Sequence, residues 1–106
     1  MSEGGDIFRH VVVFRWQAGT TAAQVAALER ALAALPGQVS QIRAYHFGSD
    51  AQQTPGNHDF AIVADFDDVA AFRAYVVHPA HQKLIAEHVR PLAAERAAVQ
   101  FRVEAP

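Results

Sequence analysis

A chain of 106 residues, 51% hydrophobic and 19% charged, is expected to form one globular domain with a modest core. Its formal net charge of −2, with no basic stripe, argues against a nucleic-acid partner, and zero cysteines exclude a disulfide framework and a thiolate metal site. No apolar run approaches the ~18 residues of a membrane span, so no membrane partner is expected.

The opening Met1-Ser2-Glu3-Gly4-Gly5-Asp6 is acidic where a signal peptide would be basic. It reads as a flexible N-terminus over residues 1–6, ahead of a single domain over 7–106, and the expected location is cytoplasmic. Residues 8–16 then read as a strand rich in β-branched and aromatic side chains. Alternation puts His10, Val12, Phe14 and Trp16 on one face and Arg9, Val11, Val13 and Arg15 on the other. After a turn at Ala18-Gly19-Thr20, Thr21 and Gln24 have the spacing of a capping box. Val25, Leu28, Leu32 and Leu35 follow at helical spacing, and Leu35-Pro36-Gly37 ends that helix.

A weaker strand is expected over 39–48, with Ile42, Ala44 and His46 opposite Arg43, Tyr45 and Phe47. The polar, turn-rich residues 49–57 form a long hairpin loop. A strand over 58–66 puts Phe60, Ile62, Ala64 and Phe66 on one face and Ala61 and Val63 on the other. Asp67 or Asp68 caps a helix carrying Val69, Phe72 and Val76, which ends at His78 because Pro79 cannot continue it. Pro79 opens a further helix to about Val89, kinked or ended by Pro91, and residues 98–104 form the last strand. There Val99, Phe101 and Val103 lie opposite Gln100, Arg102 and Glu104.

The order βαββαβ is that of an α+β ferredoxin-like protomer, a four-stranded antiparallel sheet with helices on one face. Such a sheet is about 19 Å wide, and helices about 10 Å across cover one face and no more. The first and third strands are nevertheless apolar on both faces, which would leave Val11, Val13, Ala61 and Val63 uncovered. A homodimer closing two sheets face to face is therefore the expected partner arrangement.

Chemistry gathers at Tyr75-Val76-Val77-His78-Pro79-Ala80-His81 and on to His88, where histidines and a tyrosine flank the proline break. Together with His10-Val11-Val12-Val13-Phe14-Arg15-Trp16, Leu35-Pro36-Gly37 and the strand from His58 to Phe66, this run resembles the stress-responsive α/β barrel (Dabb) family over about residues 10–103. The resemblance implies a dimeric α+β barrel. In the family's olivetolic acid (polyketide) cyclase branch, which closes a linear chain by aldol condensation, the working tyrosine and histidine match Tyr75 and His81. A first-strand histidine matches His10, and a further pocket histidine falls at Phe60, where this chain cannot reproduce its hydrogen bonding. The wider superfamily also holds cofactor-free monooxygenases that share the barrel without this motif.

The expected catalytic set is thus Tyr75, His81 and His10. His81 near a helix start is disfavoured from charging and suits a general base, and Tyr75 can donate to a developing enolate. That chemistry is proton transfer next to a carbonyl, of cyclase, aldol or isomerase type, on a small hydrophobic or aromatic ligand held between sheet and helices. His78 is expected as a helix cap, His88 as a core residue, and His46 and His58 as surface residues. No cofactor or metal is expected, because Pro79 takes His78 and His81 off helical spacing and Glu87 is their only nearby carboxylate. Asp65, Asp67 and Asp68 read as a strand end and a cap. A non-catalytic stress or structural dimer, or a monooxygenase-like enzyme, stays open beside this reading.

Overall fold

The central strand β1 (Ile7–Trp16) pairs antiparallel with a neighbour on each edge. The chain continues through α1 (Ala22–Ala34), β2 (Ala44–Ser49), β3 (Phe60–Phe66), α2 (Val69–Val77), α3 (Pro79–Leu84) and β4 (Ala93–Val103). A tight turn, Leu35–Gly37, closes α1, and a π-helical turn, Ile85–Val89, extends α3. This computed structural model describes residues 6–104, so the expected flexible N-terminus lies outside the described residues except for Asp6. The sheet order is β2-β3-β1-β4.

The core forms where one face of the sheet meets the helices. Val12 and Phe14 of β1 stand across from Ile62 and Phe60 of β3, and all four are buried against Leu28, Leu32 and Leu35. The capping box is present: Thr21 accepts the Gln24 amide at 3.1 Å, and the Gln24 side chain accepts the Thr21 amide at 2.9 Å. Asp68, not Asp67, caps α2 by accepting from the Ala71 amide at 2.9 Å. Asp67 instead pairs with Arg43 at 2.9 Å.

Three elements depart from expectation. The second strand begins at Ala44 instead of residue 39, because Val39 is a fully buried anchor whose amide bonds the Leu35 carbonyl in the turn after α1. The third strand begins at Phe60, since Asp59 is already spent on hydrogen bonds to the first strand. The last strand begins at Ala93, five residues before residue 98. Ala93-Ala94-Glu95-Arg96-Ala97 has helical propensity, but pairing with β1 from Trp16 back to Val13 overrides it.

On the open face, Val11 pairs with Val99 and Arg9 with Phe101, leaving Val99 57% and Phe101 47% exposed. One polar group is nevertheless buried on this side. Asp65, expected as a simple strand end, is 3% exposed and accepts two hydrogen bonds from Arg9, at 2.7 and 2.9 Å. Among the described residues no helix is long and apolar enough to cross a membrane.

Candidate functional site

The site originates in the break between α2 and α3. In an uninterrupted helix the Val76 carbonyl would accept from the amide of residue 80. Here the Ala80 amide donates instead to Nδ1 of His78, at 3.0 Å, so His78 caps α3 as expected. Pro79 has no N–H to give, and the Val76 carbonyl is left to side chains. It accepts from Nδ1 of His81 at 3.2 Å and from Nε2 of Gln82 at 2.6 Å. A carbonyl can only accept, so a neutral His81 carries its proton on Nδ1 and keeps a lone pair on Nε2.

The His81 ring lies 4.1 Å from the ring centre of Tyr75, which is buried in the last turns of α2. Tyr75 Oη in turn lies 2.9 Å from Tyr45 Oη, on β2. One hydroxyl of this pair donates to the other, leaving the second proton free for a ligand. Burial pushes the ionisation of both phenols upward; the bond between them adds to this at Tyr45 and opposes it at Tyr75, and both hydroxyls stay protonated. His10 projects from β1 on the same side, buried at 6% exposure, with its ring tilted against Phe72 of α2 at 5.0 Å between centres. The Gln100 amide nitrogen lies 2.9 Å from His10 Nδ1 and has only hydrogens to offer, so Nδ1 accepts and the ring proton sits on Nε2.

Burial is the main force holding both histidines neutral. It lowers His10 from 6.5 to about 4, with the charges of Arg96 and His81 adding to it. It also lowers His81, against the opposing hydrogen bond to Val76. The expected helix-end effect on His81 is thus replaced by desolvation as the leading cause.

Tyr75, His81 and His10 line one cavity of about 400 Å³ between sheet and helices. Phe14, Ile62, Phe72 and Leu84 supply its apolar walls. The sequence reading missed Tyr45, Gln100, Arg90 and Arg96, which share this cavity. Tyr45 had a signal, since it is the chain's other tyrosine; Arg96 had none, because it falls before the last strand expected over 98–104. A depression of about 530 Å³ near the 50–59 connection is larger, but its acid, Asp50, is already held by Gln52 and Asn57.

The remaining histidines lie elsewhere. His88, expected in the core, is only half-buried and borders an outer groove with Lys83 and Glu87, because the π turn swings it off the His81 face. His46 is exposed as expected; His58 is half-buried, 3.9 Å from Glu95. Phe60 is packed in the core against Trp16 and adds no polar group to the cavity. Among the described residues no three metal-ligating side chains gather.

The sequence model of the stress-responsive A/B barrel domain matches residues 8–103. An uncharacterised protein of Streptomyces coelicolor is 34% identical over 82 residues, 76% of this chain and 84% of that protein. A dimeric ferredoxin-like protein of unknown function from Thermobifida fusca is 41% identical, with a TM-score of 0.86 over 93% of this chain and 92% of that one. At 17% identity, a hydroxynitrile lyase from Passiflora edulis has the same fold, with a TM-score of 0.81 over 92% of this chain and 94% of that one.

Proposed function

The chain belongs to the stress-responsive A/B barrel domain (Dabb) family, and on that premise we propose that it is a homodimer whose protomers bind a small carbonyl compound and move a proton on it. The observation that carries this reading is the contact of Tyr75 with His81, at 4.1 Å between ring centres, in a cavity that also holds His10. His81 Nε2 takes a proton from the carbon next to the carbonyl; the C–H electron pair forms a carbon–carbon double bond and the carbonyl π pair moves onto the oxygen. The tyrosine pair donates a hydrogen bond to that oxygen as its charge develops, where a buried donor is worth most. His10 offers Nε2–H to a second oxygen of the ligand. The enolate is then reprotonated, which isomerises the compound, or attacks a second carbonyl, which closes a ring.

Dimerisation is supported by the apolar open face, Val11, Val13, Ala61, Val63, Val99 and Phe101, and by the dimeric Thermobifida fusca relative. The test is deuterium incorporation next to the carbonyl of aryl ketones and β-keto esters in heavy water, followed by NMR. Exchange above the buffer rate that disappears in His81→Ala is expected. Binding without any exchange leaves a ligand-binding protein and overturns the catalytic part.

A further inference from the structure

Two guanidinium groups border the cavity, Arg90 just past the π turn and Arg96 on β4, and among the described residues no carboxylate borders it. Elsewhere Arg9, Arg15 and Arg43 are engaged by Asp65, Glu95 and Asp67. Among the described residues, neither Arg90 nor Arg96 has such an ion pair. A protein of net charge −2 therefore presents a locally cationic mouth to a cavity whose histidines are held neutral. Bare arginines on open surface are merely solvated; these two face one concave, largely apolar space, where a counter-charge has less water to compete with.

The geometry points to a ligand that is an aromatic or branched keto acid, its carboxylate held by Arg90 and Arg96 and its ketone at Tyr75 and His81. This deepens the proposed function and rests on the cavity being a ligand site. The guanidinium fork matches a carboxylate in a plane, two N–H groups to two oxygens. Register supports the placement: Arg96 stands across from Phe14 and Gln100, four residues on along β4, across from His10, so the arginine and the neutral histidine lie on one face of neighbouring strands. A phosphate is disfavoured, since the amide that His78 engages at the start of α3 is already capped and, among the described residues, no glycine-rich loop meets the cavity. An acid bound this way presents the carbon between ketone and ring to His81.

The experiment is titration calorimetry with phenylpyruvate and 2-oxo-4-phenylbutanoate, each against its neutral methyl ester, on the full chain. The acids are expected to bind about tenfold more tightly than the esters, and the margin is expected to shrink as salt rises. Arg96→Gln and Arg90→Gln each remove about that factor from acid binding and weaken ester binding far less, whereas Arg102→Gln, on the same strand but away from the cavity, changes neither. Arg96→Lys, which keeps the charge without the fork, falls between. Equal binding of acid and ester overturns the keto-acid assignment and leaves the cavity a ligand site. Failure of every acid and ester to bind overturns both. Melting curves of the variants within a few degrees of the parent certify that lost binding is not lost folding.

Discussion

Nδ1 of His81 lies 3.2 Å from the carbonyl oxygen of Val76, a group that the Pro79 break leaves without its helical partner. A structural interruption thereby fixes the tautomer of the base. Helix geometry, hydrogen bonding and chemistry are one arrangement at this point. The same carbonyl also accepts from Gln82, so the helix junction does not depend on His81 alone.

His81→Ala is accordingly expected to fold. It removes one of two donors to Val76, a loss of about 1 kcal/mol, while proton exchange on a bound ketone falls by about a hundredfold or more. Thermal melting and the exchange rate read the two effects separately. A variant that fails to fold would make His81 a packing residue.

The hydroxyls of Tyr45 and Tyr75, 2.9 Å apart, should behave as a unit. Tyr45→Phe and Tyr75→Phe are each expected to destabilise by about 1 kcal/mol, and the double variant by clearly less than their sum. Urea denaturation of the four proteins measures the coupling, and strict additivity would show that the bond contributes nothing.

Acidification should weaken the fold through His10, which faces Arg96 and Gln100 on β4, His81 on α3 and Phe72 on α2. Its folded value of about 4 lies below the ordinary 6.5, so the neutral ring is the form the fold prefers. Its contribution is complete above 6.5 and is lost progressively as pH falls toward 4. His81 is lowered in the same direction and adds to the loss. Denaturation midpoints between about pH 7.5 and 4.5 should drop in the parent and drop less in His10→Gln. A parallel fall in both proteins would assign the acid sensitivity to other groups.

The open sheet face gives a prediction about assembly. Phe101→Glu places a charge on a face that the homodimer would bury, and sedimentation is expected to show a monomer in place of a dimer. An unchanged sedimentation coefficient would put the contact elsewhere.

Much of this was legible in the order of residues. Period-two runs such as Phe60-Ala61-Ile62-Val63-Ala64 and the Thr21–Gln24 cap specify local structure through steric and hydrogen-bond rules that act within a few residues. Tyr75 and His81 could be named because they gather around the Pro79 break, and His10 because the family resemblance matches it. The β4 start was illegible, since only pairing with β1 makes a strand of Ala93-Ala94-Glu95-Arg96. Arg96 was lost with it. Asp65 gave no sign of its burial, because its partner Arg9 is remote in the chain and meets it only across the sheet. The π turn is likewise invisible in a pattern counted at ordinary helical spacing.

That turn carries a consequence of its own. With about 100° per residue, an unbroken α-helix would put Arg90 roughly 180° from His81, facing away from the cavity. The Arg90 amide instead bonds the Ile85 carbonyl at 2.8 Å, and the wider turn brings its side chain round to the cavity while releasing His88 outward. The π turn is worth one codon of phase. Excising Ala86 would let the Arg90 amide reach the Ile85 carbonyl as an ordinary α-helical bond, closing the helix with Arg90 still in phase at the pocket mouth.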